Sequence, residues 1–110
     1  MDKVVIITGG TGGIGKATAE KFESHGWKVV AMSREDADVT NPESVEKFFS
    51  QYQQIDCLVN CAGIFGNKTL LEYDLESINK VIAVNEMGTY LCTQAVLKIM
   101  EVGSIINISS

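Results

Sequence analysis

The sequence predicts an α/β fold, a doubly wound parallel sheet with helices on both faces. Three observations carry that reading. Short apolar runs alternate with segments of helical period along the whole chain. The runs are solidly apolar rather than alternating, as strands buried on both faces must be. And a glycine-rich turn, Thr8-Gly9-Gly10-Thr11-Gly12-Gly13-Ile14-Gly15, separates the first apolar run from the first helical pattern.

The elements follow in order. Residues 4–8 are a β-branched run and predict the first strand. Behind the glycine turn, Ile14, Ala17, Thr18 and Phe22 recur at helical spacing, and Gly26 supplies a C-cap. Residues 28–33 predict a second strand. No helix fits between Arg34 and Asp36, so a very short third strand, 37–40, is joined to it almost directly. Asn41 and Pro42 pair as N-cap and first-turn residue. Val45, Phe48, Phe49 and Tyr52 then form the plainest helical stripe in the chain. Residues 55–62 predict a fourth strand, about 75–100 one long helix, and 105–108 a fifth strand after Gly103. Right-handed crossovers turn this order into a Rossmann-type sheet, truncated after the fifth strand.

Length and charge bound the function. The 110 residues make one domain at most. Nine Lys and Arg against fourteen Asp and Glu leave a net charge of −5, which weighs against a nucleic-acid partner. No run approaches the ~20 apolar residues of a membrane helix. Met1-Asp2-Lys3 leads straight into a short strand, not a signal-peptide core, so a cytoplasmic location is the expectation. Cys57 and Cys61 lie on one predicted strand roughly 13 Å apart, too far for a disulfide. Free thiols in a reducing compartment fit this pattern. His25 has no companion at metal-ligand spacing, so no metal site is expected.

The glycine turn is where chemistry enters. Glycines there let the backbone approach a pyrophosphate, and the helix start offers free N–H groups. Two frames overlap. Gly10, Gly12 and Gly15 fit a GxGxxG fingerprint, while Gly9, Gly13 and Gly15 fit a wider TGxxxGxG spacing. Asn85 falls seven residues after Ile78 on the apolar stripe of the long helix, where a buried amide needs a reason to exist.

Taken with Asn60-Cys61-Ala62-Gly63, Val84-Asn85-Glu86-Met87-Gly88 and Asn107-Ile108-Ser109-Ser110, the wider glycine frame resembles the short-chain dehydrogenase/reductase family in order and spacing. The resemblance covers the whole chain, extends to 3-oxoacyl-acyl-carrier-protein reductase-like members, and implies hydride transfer between a carbonyl and an alcohol. It implies that Gly9, Thr11, Gly13, Ile14 and Gly15 cradle the pyrophosphate and adenosine ribose of a nicotinamide dinucleotide. Asp38, followed by Val39, corresponds to an aspartate on the adenine amino group. Asn60, Ala62 and Gly63 belong to the motif passing under the cofactor, with Cys61 in place of its second asparagine. Asn85 and Ser110 become the catalytic candidates, Asn85 holding a water in a proton relay and Ser110 bonding the reacting oxygen.

The residue after the second strand speaks to the cofactor. Ser33 stands where an acid binds both ribose hydroxyls in NAD enzymes, and Arg34 can pair bidentately with a 2′-phosphate, so NADP is expected. Gly12 occupies a position often basic in NADP users, and Glu35 and Asp36 add repulsion; both oppose that choice. The family's Tyr-x-x-x-Lys pair is not found: Tyr52, Tyr73 and Tyr90 are followed at that distance by Asp56, Ser77 and Gln94. The expectation is therefore a cofactor-binding N-terminal part, inactive alone, of an enzyme acting on a small carbonyl or alcohol. A non-catalytic dinucleotide-binding or regulatory module is the alternative. The family's association through the long helix implies a homo-oligomer. Because its sheet continues past residues 105–108, that strand is expected to form an edge here.

Overall fold

The structure is a computed structural model that describes residues 2–64 and 69–109. Four strands form one parallel sheet: β1 (Val4–Thr8), β2 (Lys28–Met32), β3 (Cys57–Asn60) and β4 (Ser104–Asn107), in the order β2-β1-β3-β4. The register pairs Val5 with Val29 and Cys57, and Leu58 with Ile105. Alternation along the strands splits the core in two. Val5, Ile7, Cys57 and Val59 point to one face, beneath α1 (Gly13–Ser24). Ile6, Met32 and Leu58 point to the other, beneath α2 (Pro42–Phe49) and α4 (Gly88–Leu97). This is the doubly wound arrangement expected, with helices on both faces.

Two caps follow their sequence signals. Asn41 accepts from the Ser44 N–H at 3.1 Å and Pro42 opens α2. At the end of α1, Gly26 lies one residue beyond the cap, at φ +84°. Its N–H reaches Glu23 O, and Trp27 N–H reaches Phe22 O. The Phe22 and Trp27 rings meet edge to face at 5.0 Å, which completes a Schellman motif.

Three expectations need correction. The third strand, 37–40, does not form; among the described residues the sheet has four strands, and the expected fifth is the fourth. Ala37 and Val39 are buried, which gives the segment its strand-like alternation. Its polar groups, however, bond locally: Asp38 Oδ1 accepts from the N–H and hydroxyl of Thr40, and Asp38 N–H donates to Ser44. A loop so satisfied needs no strand neighbour.

The long helix is broken into α3 (Leu75–Ile82), a π-helical turn (Ala83–Met87) and α4. The inserted residue upsets the register on which the stripe was counted. Asn85 is exposed rather than buried, and so is the face that precedes the π turn, where Ile78 and Ile82 are more than two-fifths exposed. Lastly, Ile14 does not face the core. The inward face of α1 is Gly15, Ala19 and Phe22, and Ile14 points to solvent.

Candidate dinucleotide site

The chain leaves β1 towards β2 and returns across it to β3, so the topological switch lies between the C-terminal ends of β1 and β3. Open parallel sheets bind ligands there. A cleft of about 690 Å³ occupies that position. Gly9 and Thr11 form one wall, Ser33, Arg34, Asp38 and Val39 the second, and Ala62, Gly63 and Ile64 the third.

The glycines of the turn differ in how far a side chain would be obstructed. Gly9 lies at φ +63°, and a Cβ there would sit 2.9 Å from Ala62 Cα. A Cβ on Gly15 would run into the Gly9 carbonyl oxygen. Gly13 adopts φ +55°. By contrast Gly12 is extended, at φ −149°, and a Cβ there meets nothing within 4 Å. Gly10 is as confined as Gly9, with a Cβ 2.8 Å from Ala31 Cα and Ile7 O, and Gly15 belongs to both frames, so Gly12 is the one glycine of the narrower frame without constraint. Gly12 caps α1 without any side-chain acceptor, and the first turn carries no acidic residue, so the helix start is free of negative charge.

Thr8, not anticipated from the sequence, ties the two strand ends together. Its buried hydroxyl accepts from both Cys61 N–H and Ala62 N–H, each at 3.0 Å. One acceptor thus holds the turn after β3 against the glycine turn after β1. The only sequence signal was a hydroxyl at the end of an otherwise apolar strand.

Asn60 is buried and does not line the cleft. Its Nδ2 donates to Asn107 Oδ1 at 3.0 Å and Thr93 Oγ1 at 3.2 Å, linking β3, β4 and α4. The Cys61 side chain packs into the apolar cluster beneath α1, and burial pushes its thiol up. Burial also drives the Cys92 thiol to about 12. Among the described residues, no cluster of His, Cys, Asp and Glu has a metal-binding arrangement.

Asn85 lies outside the cleft lining but shapes it. Its Oδ1 accepts from Ile64 N–H and its Nδ2 donates to Ile64 O, both at 2.7 Å. The amide so mimics a strand partner for the backbone after Gly63. A Cβ on Gly63 would approach Asn85 Oδ1 to 3.2 Å, so the amide would have to give by a few tenths of an ångström.

At the other end, the Thr40 hydroxyl and N–H, and then the nearby Arg34 charge, hold the Asp38 carboxyl below its ordinary range. Ser33 is engaged by Asp36, whose carboxylate accepts from its N–H at 2.8 Å and its hydroxyl at 3.1 Å. Glu35 shares the cleft wall with Arg34. Ser110 lies outside the described residues.

The family model for short chain dehydrogenases matches residues 3–44 and 36–110. The chain belongs to the short-chain dehydrogenase family.

This family member is 35% identical to an uncharacterized oxidoreductase of Staphylococcus saprophyticus, covering 100% of the chain and 59% of that protein. It is 36% identical to a 3-oxoacyl-[acyl-carrier-protein] reductase of Synechocystis, covering 98% of the chain and 56% of the relative. Among solved structures, ElxO with NADP bound superposes with a TM-score of 0.88 at 35% identity, over 100% of the chain and 56% of ElxO. The chain thus spans somewhat over half the length of these relatives. Among the described residues no helix is long and apolar enough to cross a membrane.

Proposed function

We propose that this short-chain dehydrogenase chain binds NADP and forms the cofactor-holding part of an oxidoreductase that interconverts a carbonyl and an alcohol. The observation that carries the reading is the backbone approach of Gly9 to Ala62 at the switch point. That packing holds the glycine turn at the mouth of the cleft and beside the start of α1, whose free N–H groups suit a pyrophosphate. In this reading Gly9 and Thr11, which line the cleft, and Gly13, Ile14 and Gly15 beside it would hold the pyrophosphate and adenosine ribose. Arg34, on the second wall of the cleft, would pair with a 2′-phosphate in this reading, and Asp38 and Val39 would meet the adenine. The NADP in ElxO supports this choice; Glu35 on the same wall opposes it.

The bound dinucleotide would supply the hydride. The chain's own residues hold position. Ala62 and Gly63 would form the floor beneath a ribose, and Asn85 pins the backbone at Ile64. Asn85 and Ser110 are the polar groups assigned to proton handling at the reacting oxygen. With no Tyr-x-x-x-Lys within the 110 residues, we expect binding without efficient turnover, since a positioned acid contributes ~100- to 10,000-fold. The exposed apolar residues Leu75, Ile78, Ile82, Met87 and Tyr90 support self-association along α3 and α4.

Fluorescence titration of the chain with NADPH and NADH tests the reading, alongside NADPH oxidation with a panel of small ketones. Saturable NADPH binding, tighter than NADH, with no ketone-dependent oxidation is expected. Absence of binding to either dinucleotide overturns it.

A further inference from the structure

The π turn and the first residue of α4 touch opposite walls of the cleft. Asn85 holds the Gly63–Ile64 side through its two amide bonds. Three residues later, Gly88 is buried against the opposite wall. A Cβ built on Gly88 would lie 2.8 Å from Val39 Cγ2, 3.1 Å from Val39 Cβ and 3.5 Å from Val39 O. Val39 lines the cleft beside Asp38 and is itself buried.

The approach leaves little room for relief. Val39 is β-branched and stiff about χ1, so its methyl cannot swing aside freely. Its neighbours are fastened: Asp38 N–H donates to Ser44 on α2, and Asp38 Oδ1 binds Thr40 twice. Gly88 follows the π turn directly and belongs to a helix packed on the sheet through Cys92, Ala95 and Val96. A side chain at residue 88 must therefore displace the 38–40 loop, and with it the groups assigned to adenine.

We infer that Gly88 is a positioning residue for the adenine end of the site, setting the depth at which Val39 and Asp38 meet the cofactor by the absence of its side chain. The inference rests on the dinucleotide reading. It goes further in assigning a residue that lies outside the cleft lining and touches no ligand. A side chain there weakens recognition of the adenosine half, and shrinking Val39 restores it.

The test is a mutant cycle on the chain, G88A, V39A and V39A/G88A, with NADPH and with adenosine 2′,5′-bisphosphate, which carries only the adenosine half. Thermal melts without ligand report folding. G88A is expected to weaken both ligands about tenfold, and V39A/G88A to recover to within about threefold of the parent. A purely structural role would lower the melting temperature without this ligand-binding rescue. Unchanged affinity in a folded G88A overturns the inference. So does a double variant that folds yet fails to recover, or one that stays unfolded along with G88A. If the parent chain binds neither ligand, the dinucleotide reading itself falls and takes this inference with it. Parent binding with no coupling between residues 39 and 88 defeats the inference alone.

Discussion

The β1–α1 half of the molecule and the α3–β4 half handle apolar surface in opposite ways. In the first, Val5, Ile6 and Ile7 are wholly buried, α1 covers one face, and the turn beyond is tied through Gly9 and Thr8 to the turn after β3. In the second, Leu75 is 72% exposed, Ile78 and Ile82 look outward, and no residue of α3 is buried. Among the described residues β4 is one edge of the sheet and β2 the other. By the strand register its Ile106 lies on the same face as Val59, beneath α1, yet 42% of it remains exposed. The first half satisfies itself. The second presents an apolar helix face and an unpaired edge, the features through which chains associate. The end of β1 and the turn after β3 thus fix each other within the described residues, whereas α3 finds no apolar partner among them.

The sharpest way to break the self-contained half is Gly15→Ala. Its Cβ collides with the Gly9 carbonyl, so a loss of about 3 kcal/mol in urea unfolding is expected, with loss of NADPH binding. Gly12→Ala is the control. Its Cβ meets open space in an extended backbone, and stability should stay within about 0.5 kcal/mol. An equal cost at both positions means that Gly12 is as constrained as Gly15. Thr8→Val tests the tie between strand ends. It keeps the shape but strands the N–H groups of Cys61 and Ala62, at an expected cost of about 1–3 kcal/mol by denaturant titration.

Arg34→Ala probes the cleft wall without touching the fold. The ratio of NADP to NAD affinity should drop about tenfold in paired titrations, close to 1.4 kcal/mol. An unchanged ratio means that Arg34 does not read the 2′-phosphate.

An acid titration separates a further tie in the first half. Asp56 Oδ2 accepts from Val4 N–H at 2.8 Å and Gln54 Nε2 at 2.7 Å, and these bonds hold its carboxyl below the ordinary 3.8. A depressed folded value means the stabilisation is fully present above about pH 3.8 and fades as pH falls through the lower folded value. Asp56→Asn should flatten the acid limb of a melting-temperature profile while leaving its neutral-pH shape alone. The smallest expected effect on monomer stability is Ile82→Lys on the outward face of α3, within about 0.5 kcal/mol. It should nonetheless shift light scattering towards monomer. Unchanged scattering means that this face does not associate.

Much of the fold was legible because its signals are local. Apolar runs of strand length, the Asn41-Pro42 cap, the Val45-Phe48-Phe49 stripe and the Gly26 terminus each act within a few residues and reappear where they were read. The cleft lining repeats the expected Gly9, Thr11, Ser33, Arg34, Asp38, Val39, Ala62 and Gly63. Those residues sit at strand ends, and strand ends gather wherever a parallel sheet reverses its winding. The 37–40 segment misled because burial of alternate side chains produces a period of two whether or not the backbone pairs.

By itself the sequence determined a parallel sheet, its glycine turn and the residues that meet at its switch point, because period, cap and turn chemistry act along the chain. Only the tertiary structure decided which glycines of the turn a side chain would obstruct, since that depends on contacts of Gly9 with Ala62, Gly10 with Ala31 and Gly15 with Gly9. It alone decided that Asn85 faces outward from a π turn to grip Ile64, that Asn60 joins strands rather than lining the cleft, and that Thr8 and Gly88 matter. Each of these depends on an approach between segments distant in sequence. A linear pattern records which side chains are present, but not the distance to their neighbours.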